Sequence, residues 1–249
     1  MRPRTASLAF AAAALLAAAP AARAQEPAPE PPPFDVAAPS RAHGATVARI
    51  TTPTRARRRP ERAASGRPVA TTTAWSYQPQ VLLVLDGATS DGRDWVKVLL
   101  PDRPNGSAGW VPRDHVVLLT TPYWIEIRTR PRTVRVFRDG ERVRGFRAVV
   151  GTPATPTPHG LAAIYERNRQ PDPGAFLGPW ALSLTALSEV LENYGGGPGR
   201  VAIHGRAGAS LFDPLGSARS HGCVRVNNVD VSWLARKIPP GTPVDITGR

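Results

Sequence analysis

The segment Ser220-His221-Gly222-Cys223-Val224-Arg225-Val226 sets the only cysteine of the 249-residue chain between a histidine and an arginine. A thiol is a useful nucleophile near neutral pH only to the extent that it is thiolate, and positive or hydrogen-bond-donating neighbours raise that fraction. Gly222 lets the backbone turn tightly, so that successive N–H groups could face an oxyanion developing on an attacked carbonyl. Upstream, Ala202-Ile203-His204-Gly205 ends an apolar run. A histidine on a strand there can be aimed at a cysteine on a neighbouring segment, acting as base towards the thiol and as acid towards a leaving group. Taken alone, a cysteine in an apolar run is more often a buried inert thiol. Two histidines and the glycines in register with it favour the nucleophile. His204, His221 and Cys223 are also metal-ligand types, though no fourth ligand is evident. Arg225 reads either as an ion-pair residue or as a contact for a substrate carboxylate. His115 and His159 are expected in solvent-facing loops, and His43 in a linker.

Strands must position these residues. From Tyr123 onward, Trp124-Ile125-Glu126-Ile127-Arg128 and Thr133-Val134-Arg135-Val136-Phe137 alternate before an Asp139-Gly140 turn, which predicts a hairpin with one face in a core. Val149-Val150-Gly151 and Leu161-Ala162-Ala163-Ile164-Tyr165 continue the pattern, with Trp180 and Leu182 expected in the core. The turn over 151–160 is read as structural. Tyr165 and the Gly/Pro-rich stretch 167–179 are expected as a flap over the cleft, because long loops in compact domains are often lids. A short helix is predicted over 229–237, with Asn228 as cap and Pro239-Pro240-Gly241 as stop. Thr242-Pro243-Val244-Asp245-Ile246 would close the sheet.

Ahead of this unit, residues 45–119 carry short apolar runs (Val81-Leu82-Leu83-Val84-Leu85 and Trp95-Val96-Lys97-Val98-Leu99-Leu100 among them). Asp86-Gly87, Asp91-Gly92 and Pro104-Asn105-Gly106 separate them, which predicts a small barrel. The arginine run Arg55-Ala56-Arg57-Arg58-Arg59 is read as a solvated loop. Residues 25–44 are rich in Pro and Ala and predict an extended linker. Residues 1–24 read as an export signal. Arg2 and Arg4 precede an apolar run over 8–19 that is too short to span a membrane, and Ala22-Arg23-Ala24 offers a small-x-small cleavage site. No transmembrane anchor is expected after it.

The chain carries 32 basic against 19 acidic residues, +13 in all, and +10 once the three arginines of that segment are removed. Only Lys97 and Lys237 are not arginine among the basic residues. Such charge attracts polyanions, and anionic cell-wall polymers or lipid head groups are the ones met outside a cell. No nucleic-acid partner is expected, since no nucleic-acid-binding fold is recognisable.

His204-Gly205, a gap containing Gly216, then Ser220-His221-Gly222-Cys223-x-Arg225 resembles the active-site motif of the YkuD-type L,D-transpeptidases. The likeness continues in Gly151-x-Pro153-x-x-Pro156-Thr157-Pro158-x-Gly160 and in Gly241-Thr242-Pro243-Val244. The order Asp91-Gly92-x-x-Trp95-x-x-Val98, Pro104-Asn105-Gly106, Gly109-Trp110-Val111 resembles bacterial SH3-like domains. The resemblances imply a mainly β protein: an SH3-like small barrel over 45–119, followed over 122–248 by a β-sandwich catalytic domain with a short helix. They imply Cys223 as the acylated nucleophile, His204 as base and the Gly205 carbonyl as the group orienting it. Backbone N–H groups of His221, Gly222 and Cys223 would form the oxyanion hole, and His221 would shape the pocket and lower the thiol pKa. Ser220, Arg225, Asn227 and Tyr165 are the expected substrate contacts. No metal or cofactor is implied. The implied reaction is acyl transfer between peptidoglycan stem peptides in the periplasm or cell wall, with release of D-Ala and sensitivity to carbapenem-type β-lactams. The same acyl-enzyme resolved by water would make a carboxypeptidase, and resolved by a protein amine would attach that protein to the wall. A non-catalytic wall-binding protein is the reading from another class.

Overall fold

The computed structural model describes residues 34–194 and 196–249. The expected export segment and the start of the Pro/Ala-rich linker lie outside the described residues. Alternation builds the first sheet. On β1 (Ala45–Ile50), Val47, Ala48 and Ile50 are buried while Arg49 faces solvent. It pairs antiparallel with β4 (Val81–Ser90) and β7 (Val116–Thr121). Beyond β4 come β5 (Arg93–Leu99) and β6 (Ala108–Pro112), then the edge hairpin β2 (Thr54–Arg57) and β3 (Gly66–Val69). Asp91 and Gly92 both take positive φ at the two-residue β4–β5 turn, as a type I′ connection requires. Leu82, Val84, Val96, Val98, Val111 and Val116 close with Ala48 and Ile50 into one apolar core.

Two expectations change here. The arginine run was expected as a loop, yet Arg55–Arg57 lie in β2. The ladder is made by the backbone, only Ala56 turns inward, and the arginines bond carbonyls of the hairpin: Arg57 Nη1 donates to Ala64 O at 2.8 Å. Residues 34–44 were expected as linker, yet Phe34 and Val36 pack on the first core and Phe34 N–H donates to Thr89 Oγ1 at 2.8 Å.

The second sheet has eight strands in the order β10-β9-β8-β17-β12-β13-β14-β16. They are β8 (Tyr123–Arg128), β9 (Thr133–Arg138), β10 (Glu141–Arg147), β12 (Gly160–Arg169), β13 (Trp180–Leu187), β14 (Arg200–His204), β16 (Val224–Arg225) and β17 (Pro243–Thr247), while β11 (Val150–Gly151) and β15 (Ala218–Ser220) form a small parallel pair. The expected Asp139-Gly140 hairpin joins β9 to β10, both residues at positive φ. β17 closes the sheet as expected, parallel to β8 and antiparallel to β12. Helix α1 (Asn228–Lys237) sets Val231, Leu234 and Ala235 into the core shared with Ile125, Ile164, Leu182 and Ile203. The helix starts one residue earlier than expected. Asn227 precedes it in extended conformation, and Asn228 does not cap: its Oδ1 accepts the backbone N–H of Arg206 at 2.8 Å. Among the described residues, no helix is long and apolar enough to cross a membrane.

The two sheets pack on each other within one compact unit. Leu83, Leu85 and Leu99 of the first sheet meet Leu161 and Ala163 of β12. Polar side chains extend this junction. The buried Tyr165 hydroxyl accepts Ala74 N–H at 3.3 Å and donates to Gln80 Oε1 at 3.4 Å, while Glu166 accepts Ser76 N–H at 3.1 Å. Burial works to raise the Glu166 carboxyl, but hydrogen bonds from Thr73, Ser76 and Asn168 outweigh it and hold the pKa below its ordinary value. Arg103 donates to three carbonyls of the β13–β14 connection, those of Ser188, Leu191 and Pro198.

Candidate active site

β14 and β16 are parallel neighbours with His204 opposite Arg225 and Ile203 opposite Val224. Side chains alternate along a strand, so Arg225 emerges on the same face as Ala202 and His204. His204 ends β14 and Cys223 immediately precedes β16. The Arg225 charge acts on both groups, and Ala202 N–H lies against the sulfur.

His204 is 1% exposed, and its Nδ1–H donates to the Gly205 carbonyl at 2.7 Å. A carbonyl accepts only, so Nδ1 carries the proton and Nε2 keeps its lone pair. Burial, helped by Arg225, lowers the His204 pKa to about 4, against the pull of the Gly205 and Leu177 carbonyls. Burial pushes the Cys223 thiol up, only partly offset by Ala202 and Arg225. The resting pair is thus neutral thiol and neutral imidazole. No hydrogen bond joins the two in this conformation among the described residues. Such a pair can transfer the thiol proton to Nε2 as sulfur attacks a carbonyl, rather than holding a standing ion pair.

Gly205 has no room for a side chain. A Cβ there would fall 2.3 Å from Asn228 Oδ1, which Arg206 N–H holds in place, and 3.0 Å from Pro179 Cδ. Gly205→Ala should therefore destabilise the protein by about 1–3 kcal/mol and turn the carbonyl that orients His204. Urea denaturation read beside activity would show both losses.

The cysteine loop is held from below by the 151–160 turn. Thr157 Oγ1 donates to Gly222 O at 2.8 Å and accepts Gly151 N–H, while Thr152 N–H and Thr155 Oγ1 donate to Ser220 O. Gly222 takes φ +113, a conformation open to glycine. Ser220 is fully buried, its hydroxyl donating to Cys223 O at 2.5 Å and accepting Gly222 N–H at 3.2 Å. Two expectations change with this: the Ser220 hydroxyl, expected at substrate, is spent on the loop, and the Gly222 N–H, expected at an oxyanion, is taken up by Ser220.

Arg225 is 3% exposed. It pairs with Asp213, its guanidinium lies 4.8 Å over the Phe176 ring, and its Nε is buried without a partner among the described residues. Of the two readings, the ion pair is the one present. Asp213→Ala would strand that buried cation, so a loss of about 2–4 kcal/mol is expected, below the full penalty for a buried pair because Asp213 retains solvent access. A lower urea midpoint at unchanged slope would register it.

Tyr165, expected at the cleft, is instead buried at the junction of the sheets, because its hydroxyl finds Gln80 and Ala74 there. β12 continues to Arg169, and the loop over 170–179 brings Phe176 to 6.2 Å from the His204 ring. His221 is exposed, and the groups that lower the thiol pKa are Ala202 and Arg225, not His221 as expected. It shares a 3.4 Å hydrogen bond with the Tyr194 hydroxyl, ring centroids 5.4 Å apart. Asn227 lines a groove of about 490 Å³ with Arg206, Leu211 and Asp230, whose walls do not include Cys223. Among the described residues, no three or more His, Cys, Asp or Glu side chains are grouped so as to hold a metal ion. Sequence reasoning missed Phe176, Tyr194 and Asp213; an acid between the two motifs and aromatics in flanking loops were the only signals.

A sequence model described as the L,D-transpeptidase catalytic domain, YkuD, matches residues 122–246. The chain is 33% identical over 178 residues to an L,D-transpeptidase YkuD of Bacillus licheniformis, covering 69% of this chain and 98% of that protein. Its counterpart in Bacillus subtilis is 30% identical over 177 residues, with the same coverage. Among solved structures, an L,D-transpeptidase from Mycobacterium tuberculosis matches 67% of this chain and 90% of its own at 17% identity, TM-score 0.42.

Proposed function

Because the chain belongs to the YkuD family of L,D-transpeptidases, we propose that it is an exported enzyme forming 3→3 cross-links in peptidoglycan through a Cys223 thioester. What supports this reading is that His204, at the end of β14, and Cys223, just before its neighbour β16, both feel the Arg225 charge, and that the Nδ1–H bond to Gly205 leaves the His204 Nε2 lone pair free.

In the first half-reaction, Cys223 Sγ attacks the carbonyl of the L-centre of a diamino acid in a tetrapeptide stem while His204 Nε2 takes the thiol proton. The C–S bond forms, and the oxyanion faces the N–H groups of His221 and Cys223. Collapse breaks the C–N bond to D-Ala, and His204 returns the proton to the leaving amine. In the second, the side-chain amine of another stem attacks the thioester, the C–N bond forms as the C–S bond breaks, and His204 Nε2 passes the amine's proton to the departing Cys223 sulfur. Phe176 beside His204 and Tyr194 beside His221 border the surface that a stem would cross.

Incubating the mature protein with disaccharide-tetrapeptide and reading products by mass spectrometry tests this. A dimer lacking one D-Ala is expected. Free D-Ala with monomeric tripeptide would show a carboxypeptidase instead, and no conversion would sink the enzymatic reading.

A further inference from the structure

Three aromatic rings near the cysteine loop face solvent: Trp75 is 65% exposed, Tyr77 77% and Tyr194 49%. Core packing accounts for none of them. Tyr194 lies on His221, two residues from Cys223. Its backbone pairs directly with Gly197, through Tyr194 N–H to Gly197 O at 2.9 Å and Gly197 N–H to Tyr194 O at 3.1 Å. A Cβ on Gly197 would lie 3.9 Å from Cζ3 of Trp75. A continuous ledge thus runs from the nucleophile's loop, over the Tyr194 hairpin, onto the loop over 71–79 that belongs to the first sheet.

That loop is held rigidly, and from the catalytic side. Thr73 N–H donates to Gln78 O, and Gln80 N–H to Thr71 O, both at 2.8 Å. From β12, buried Glu166 accepts Ser76 N–H, the Tyr165 hydroxyl accepts Ala74 N–H, and Arg167 O accepts Gln78 Nε2–H at 3.0 Å. Tyr77 takes φ +52, an uncommon conformation for a bulky residue. Buried polar groups and a strained residue together fix a loop whose product is two aromatic rings exposed to water. Such an arrangement marks a binding surface.

We propose that Trp75, with Tyr194 and Tyr77, is a stacking ledge for the pyranose rings of the glycan that carries the stem peptide. This rests on the reading of the site as acting on peptidoglycan. A stem that reaches Cys223 is tied to its sugar, which must lie over surface adjoining the cysteine loop, and the ledge begins there. Trp and Tyr present a flat apolar face to the C–H groups of a sugar ring, and an N–H or O–H to its hydroxyl and acetamido groups. In a chain so rich in arginine, the three rings themselves carry no charge, which suits a neutral ligand.

The probe is a β-1,4-linked N-acetylhexosamine tetrasaccharide without peptide, titrated calorimetrically into the mature chain. Trp75→Ala should weaken its binding about 2- to 10-fold, and Trp75→Phe, which keeps a ring, by less. The preference in kcat/KM for disaccharide-tetrapeptide over bare tetrapeptide should fall by a similar factor in Trp75→Ala. Absence of tetrasaccharide binding to the wild type, or unchanged binding to Trp75→Ala, overturns the ledge. So does an equal fall in turnover of both substrates. Wild-type binding of the sugar without conversion of either peptide would leave the ledge standing and remove the transpeptidase. Conversion without sugar binding would do the reverse.

Discussion

Cys223→Ala should lose acyl transfer by roughly 10⁴–10⁶-fold while remaining folded, since removing a covalent nucleophile abolishes the step that all others serve. The chain has no other cysteine to substitute for it. The same substitution should abolish labelling by a thiol-alkylating reagent, and the wild-type labelling rate adds a sharper expectation. Burial pushes the thiol above its ordinary pKa, only partly offset by Ala202 and Arg225. Alkylation of the resting enzyme should accordingly be slow at neutral pH and rise on the alkaline side of an unperturbed thiol. Rapid labelling at pH 6 would mean a standing thiolate, and the neutral-pair description would be wrong. Residual turnover in Cys223→Ala above about one part in a thousand would point to another nucleophile.

His204→Ala should lower kcat by about 10²–10⁴-fold, the usual worth of a positioned base. The pH profile separates this from general damage. With its pKa lowered to about 4, the imidazole is unprotonated throughout the neutral range, so activity should hold well below pH 6.5 and fall only as pH passes through about 4. Stability follows the same shift. The folded pKa lies below the unfolded value of 6.5, so the unfolded chain binds more protons between the two. Stability from this group is complete above pH 6.5 and is lost on acidification through the window down to about 4, by roughly 3 kcal/mol. His204→Gln should flatten that slope in urea denaturation series across the window. An acid limb of activity near 6.5, or an unchanged slope in the variant, would contradict the assignment.

The chemistry was legible where it is local in the chain. Ser220 to Arg225 and His204-Gly205 declare their residue types in sequence, and strands with period-two burial, such as β1, β8 and β9, declare theirs. Tyr165 was misplaced because an aromatic at the end of a strand reads alike whether it faces a cleft or a neighbouring sheet. What decided was Gln80, 85 positions away. Ser220 failed for the opposite reason: its partners, Gly222 and the Cys223 carbonyl, are so near that only the turn's geometry reveals the hydroxyl as spent. The arginine-rich strand β2 was hidden because backbone pairing needs no apolar side chains. The junction between the two sheets joins an apolar patch to buried polar side chains from distant segments, and periodicity does not register it. Asp213 is set by a loop whose course depends on Arg206 donating to the carbonyls of Ser210, Leu211 and Asp213, which spacing does not specify.

The central claim is that Cys223 becomes acylated by a peptidoglycan stem. Intact-protein mass spectrometry after brief mixing with disaccharide-tetrapeptide donor, acid-quenched and followed by peptide mapping, addresses it directly. The account predicts an adduct equal to the donor less D-Ala, located on the Cys223 peptide and absent from Cys223→Ala. Turnover of the donor with Cys223 unmodified, or an adduct on any other residue, would contradict it.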